Sequence, residues 1–199
     1  EPCMACHNGY SEFEKGSENR FQTVASGIGC ERCHGPGSIH VESISAGNVV
    51  DITKEIDYTI VNPAKLSPDR QLDLCMRCHM QGAEVFADAE SVGAFRPGQL
   101  LSETVNVFWP RQPDSVEVFN MASHPDRLAM SACFQSSWED ESSFEPMTCT
   151  TCHDPHVPIE ETDPQFYRST CQNCHESQEV AACSDPDVRA GVNTASCSS

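Results

Sequence analysis

Basic residues are scarce in this chain. Twelve lysines and arginines stand against 30 aspartates and glutamates, a formal charge of −18 at pH 7 over 199 residues. A surface of that sign repels polyanions, which argues against a nucleic-acid partner and against docking on an anionic membrane. Much of the charge reads as a solvated face. Apolar residues are also few, 38% of the total, below the share that globular domains use to build a core. No apolar run approaches the ~20 residues that span a bilayer, so no transmembrane segment is expected. Long regular elements lack support too, because 13 prolines and 11 glycines punctuate the chain. Neither an initiator methionine nor an export leader precedes Glu1, and the expectation is that a leader has been removed.

Cysteine and histidine are what the chain has instead. Ten of its 13 cysteines fall in five copies of Cys-x-x-Cys-His: Cys3-Cys6-His7, Cys30-Cys33-His34, Cys75-Cys78-His79, Cys149-Cys152-His153 and Cys171-Cys174-His175. Two thiols at this spacing can form thioethers to the two vinyl groups of one porphyrin, while the adjoining imidazole reaches the iron. This is the attachment signature of a c-type haem, and five haem c groups are expected. A zinc knuckle or a thioredoxin-like pair is the competing reading of any single Cys-x-x-Cys, but neither requires histidine directly after the second cysteine. With 8 histidines in 199 residues, chance places one there about once in 25. Five coincidences come to roughly one in ten million against a motif that needs that histidine.

If porphyrins supply the apolar interior, the shortage of apolar residues is accounted for. Each haem is served by about forty residues, too few for an independent domain. The expected fold is therefore loop-rich, with short α-helices wrapped around a closely stacked haem chain and little β structure. A single pentahaem unit over 1–199 is expected, with haem-binding segments 1–82 and 120–180 and a haem-poor insert 83–119. Within the insert, 104–109 and 116–119 have strand character and suggest either a hairpin around 111–114 or extended segments lying over haem faces. Ser67 and Pro68 open a helix carrying Cys75 to His79, with Gly82 as its stop. Asp163-Pro164 opens another leading to His175, Ser123 to Phe134 reads as a third with Pro125 near its start, and Ser38 is a candidate cap after Gly35-Pro36-Gly37.

Five irons offer ten axial positions, and the motif histidines His7, His34, His79, His153 and His175 take five. His40, His124 and His156 remain as distal ligands, two short of a full set. His156 follows His153 too closely to reach the far face of the same haem, so it should serve a neighbouring iron. His40, six residues past His34, invites the same argument. His124 has enough chain to reach the fourth haem or another. Met121, Met130 and Met147 are the candidate substitutes, although methionine more often packs than ligates. Met4, Met76 and Met80 are badly placed for ligation. Three cysteines lie outside the motifs: Cys133, Cys183 and Cys197. Cys197 near the chain end reads as the start of a truncated sixth motif at 197–199, which leaves Cys133 and Cys183 as a candidate disulfide.

With these residues in view the chain resembles the multihaem c-type cytochromes of bacterial respiration. The stretch from Gly29 to His40, Cys30-Glu31-Arg32-Cys33-His34-Gly35-Pro36-Gly37-Ser38-Ile39-His40 at its heart, is similar to a segment of the small tetrahaem cytochromes that accept electrons from hydroxylamine oxidoreductase and of related octahaem proteins. There the second histidine ligates a different haem, which implies that role for His40. Cys149 to His156 resembles another recurrent segment whose last histidine is a distal ligand. Five motifs, rather than four or eight, depart from these groups. The lysine-for-histidine motif of pentahaem nitrite reductases is missing, which speaks against that activity.

The expected function is electron transfer between extracytoplasmic redox partners, without a catalytic residue. Location is expected to be periplasmic or extracellular, since thioether attachment is made on the export side. Two alternatives follow from the ligand deficit. One is a polymerising cytochrome filament in which a homo-oligomer contact supplies ligands. The other is an oxidoreductase acting on a small nitrogen or sulfur compound at a five-coordinate haem.

Overall fold

The structure is a computed structural model that describes residues 2–14, 16–17, 20–80, 82–87, 91, 93–108, 123–139 and 145–175. Short helices, turns and loops dominate it, and the described strands make two two-stranded sheets. Contacts within the chain group it into two compact units, Glu1–Pro146 and Met147–Ser199, where the sequence suggests one. The first unit contains motifs one to three and the second motifs four and five. Among the described residues no helix is long and apolar enough to cross a membrane.

In the first unit, α1 (Pro2–His7) carries motif one and α2 (Glu31–His34) carries motif two. Between them β1 (Glu12–Phe13) and β2 (Phe21–Thr23) pair antiparallel across an irregular register. Gly35 has a φ of 91°, a conformation that a side chain would strain, and it turns the chain out of α2. Helix α3 (Gly37–Ser45) follows at once. Its expected cap, Ser38, lies inside the helix, and Pro36 at the N-cap has no side-chain acceptor to offer. Glu31 Oε1 supplies one, taking the Gly37 N–H at 2.8 Å, so a carboxylate of α2 caps α3.

Helix α4 (Pro68–His79) begins where expected, but the Ser67 hydroxyl bonds the Asp69 carboxylate rather than accepting from the helix. It ends at His79, ahead of Gly82. After it, β3 (Ala83–Phe86) pairs antiparallel with β4 (Val105–Phe108), Ala83 opposite Phe108 and Phe86 opposite Val105. The segment 116–119, the partner suggested by the sequence, lies outside the described residues. Phe95, Leu101 and Val105 are buried together, with Leu74, Met76, Met80 and Phe86 packed against them. The stretch read as a haem-poor insert thus builds the apolar cluster behind motif three. Each fully buried side chain of this kind contributes about 1.5–3 kcal/mol.

The segment expected to be one helix from Ser123 to Phe134 is two, α5 (His124–Met130) and α6 (Ala132–Ser137). Ser131 separates them in an extended conformation, and its hydroxyl accepts the Phe134 N–H at 3.2 Å. A serine that can cap a new helix competes with continuing the old one.

In the second unit, a 3-10 turn at Cys149–Thr151 holds motif four, with the Thr148 N–H donating to Thr151 Oγ1 at 3.0 Å. Helix α7 (Pro164–His175) carries motif five. Asp163 opens it as expected, its Oδ1 accepting the Gln165 N–H at 2.8 Å.

Candidate functional site

Four of the five motifs end a helix on their histidine: α1 at His7, α2 at His34, α4 at His79 and α7 at His175. The fourth makes the same single turn, since the His153 N–H donates to Cys149 O at 3.0 Å just as His34 N–H does to Cys30 O at 3.0 Å. Positions one, four and five of such a turn share a face. Each motif thus brings two cysteines and a histidine to one side of its turn.

Motifs one to three converge. The Cys6 thiol hydrogen-bonds Cys78 and also approaches Arg77 O at 3.6 Å. Their contact lowers the pKa of the Cys78 thiol and raises that of Cys6, which burial raises further. Arg32 and Cys33 of motif two also act on Cys78 through space. Two arginines, each just before the second cysteine of its motif, organise this region. Arg32 Nη2 donates to Asn8 O at 2.8 Å and Gly9 O at 3.2 Å, fastening α2 to the chain leaving α1. Its guanidinium lies 4.7 Å from the Tyr10 ring, and Arg96 covers the same ring at 4.0 Å. Burial pushes the Tyr10 hydroxyl up, with both arginines opposing. Arg77, its side chain 3% exposed, sits 3.6 Å from Glu84 of β3 and 3.9 Å from Cys6 Sγ. Sequence reasoning passed over both arginines, although the paired Arg-Cys-His endings were their signal.

The imidazoles fall into distinct settings. His34 Nδ1 donates to Val61 O at 2.8 Å, and the Val61 N–H returns a bond to His34 O at 2.8 Å. His40 Nδ1 lies 3.0 Å from Thr59 Oγ1 and 3.2 Å from Asp57 Oδ2. Thr59 holds the Asp57 carboxyl below its ordinary range, burial opposes this, and His40 adds a smaller lowering. His124, first residue of α5, faces His79 with ring centroids 5.3 Å apart and planes 20° from parallel. Ser123 is fully buried beneath it and hydrogen-bonds Asp126, which fixes the start of α5. His124 thus stands by the third motif. His153 meets the Tyr167 ring of α7 edge-on at 5.9 Å, and His156 projects from the surface with Nδ1 3.3 Å from Asp154.

Met130 is exposed, with Arg127 Nη1 3.9 Å from its sulfur, and Met147 is half-buried just before motif four. Met76 and Met80 belong to the apolar cluster, in keeping with their poor placement for ligation. Met121, Cys183 and Cys197 lie outside the described residues, and Cys133 is exposed on α6.

The residues fit a porphyrin group on three observations. Val61, Leu66, Phe95, Leu101 and Val105 are the buried aliphatic and aromatic side chains among the described residues, while Ile39, Val41, Ile44, Ile52, Tyr58 and others stay exposed. Beside the Cys6 thiol, Arg77 Nη2 is buried with no hydrogen-bond partner, as is Glu84 Oε2; a donor so placed suits a propionate. At His34 and His40 the Nδ1 bonds leave Nε2 as the nitrogen that could bind a metal. Among the described residues no group of three or more His, Cys, Asp and Glu side chains is placed to hold a metal ion. Compared with known proteins, the chain matches no family model, no curated protein and no solved structure.

Proposed function

We propose that the chain is an electron-transfer protein holding five c-type haems through the cysteines of its five motifs. His7, His34, His79, His153 and His175 are the proximal ligands. The observation that carries this is the shared backbone geometry: all five copies set their two cysteines and the histidine at the first, fourth and fifth positions of a helical turn that ends at the histidine. Bound in these positions, the haems supply one-electron ferric/ferrous couples. The chain supplies ligands, burial and charge. Its acidity favours the oxidised, more positive state and suits a basic redox partner. Such a protein works outside the cytoplasm, where thioether attachment takes place.

His124 is the distal ligand opposite His79. Their rings lie together, centroids 5.3 Å apart and planes 20° from parallel, so His124 is the spare imidazole at hand for the iron that His79 would hold. His40 and His156 serve irons of neighbouring motifs.

Coulometric titration of the purified native protein tests the function. Five electrons are expected per chain, taken up without any added substrate. Uptake of none, in material of the correct mass for the bare polypeptide, would remove the reading.

A further inference from the structure

We propose that Asp57 is a positioning residue for His40, holding its imidazole by Nδ1 and lowering the reduction potential of the iron that His40 ligates. The inference rests on the haem ligation proposed above and adds to it an unequal tuning of two irons by one short segment of chain.

Donor and acceptor accounting fixes the imidazole. The Asp57 side chain is 6% exposed. Its Oδ1 accepts the Thr59 hydroxyl at 2.5 Å and the Thr59 N–H at 2.8 Å. With its proton committed to Asp57, Thr59 Oγ1 can only accept from His40 at 3.0 Å, and Asp57 Oδ2 accepts at 3.2 Å. Nδ1 therefore carries the hydrogen, and Nε2 keeps the lone pair that binds a metal. Two residues on, Val61 O does the same for His34 at 2.8 Å. The difference is charge. His34 has a neutral carbonyl behind it, whereas His40 has a buried carboxylate. A carboxylate behind an imidazole raises its basicity and electron donation, which stabilises the ferric iron, and a buried anion adds to this.

The test is spectroelectrochemical titration of the haem-loaded full chain. In Asp57→Asn, five haems are retained and one component becomes easier to reduce, by about tenfold in its equilibrium constant, or about 59 mV for one electron. The other four components hold. Thr59→Val, which removes the hydroxyl shared by both groups, alters that same component alone. Asp51→Asn deletes an equal charge from an aspartate whose side chain is 47% exposed and moves none. The proposal is overturned if Asp57→Asn and Thr59→Val both leave every component in place, or if Asp51→Asn shifts the same component equally. Should Asp57→Asn fail to accumulate, Thr59→Val decides alone. Wild-type protein without haem would instead defeat the functional reading itself.

Discussion

An imidazole has two nitrogens, and what holds one decides what the other can do. At His34 and His40 the holding groups come from residues 57–61, so the chain presents each Nε2 already oriented. His124 is placed differently, by the buried Ser123–Asp126 bond that starts α5 beside His79. Replacing His124 with alanine is expected to leave five haems attached and convert one iron to high spin. Carbon monoxide uptake by the reduced variant should then exceed the wild type's by one molecule per chain; equal uptake would break the pairing of His79 with His124. The sequence made these histidines visible by arithmetic, since five expected irons would outnumber the three spare imidazoles. It did not say which motif His124 stands beside, because that depends on packing between α4 and α5. Asp57-Tyr58-Thr59 forms a local turn, passed over in the sequence, in which the carboxylate bonds the residue two ahead, and Asp51-Ile52-Thr53 makes the same one. Nothing local distinguished the copy that reaches His40 from the copy that does not.

Helix boundaries followed from proline and aspartate where the cap was local, as at Pro68 and Asp163-Pro164. One was missed where the cap came from elsewhere, since Glu31 of α2 caps α3, and another where a local cap, Ser131, restarts a helix that periodicity alone would continue. The larger surprise is the pairing of β4 with β3, which sets Arg77 and Glu84 face to face beneath the apolar cluster. A buried ion pair costs desolvation, but breaking it is worse, because one charge remains. Arg77→Met is therefore expected to destabilise the first unit by about 3–5 kcal/mol, with Arg77→Met/Glu84→Leu recovering most of the loss. Guanidinium denaturation followed by far-ultraviolet circular dichroism measures both. Equal destabilisation in the single and double variants would mean that Arg77 acts through its contacts with α1 rather than through Glu84.

For the molecule as a whole, composition was the most informative signal. An apolar share of 38% could not supply a large interior, and the described residues bury five aliphatic or aromatic side chains while leaving many isoleucines and valines exposed. What composition could not reveal was the grouping into two compact units, with three motifs in one and two in the other. That division is set by where the chain contacts itself, not by motif count. Porphyrin as the missing interior can be read motif by motif through mass spectrometry of peptides from the digested native protein. Five peptides, containing Cys3/Cys6, Cys30/Cys33, Cys75/Cys78, Cys149/Cys152 and Cys171/Cys174, are predicted to carry one haem each on both sulfurs. The same peptides recovered with unmodified thiols would contradict it.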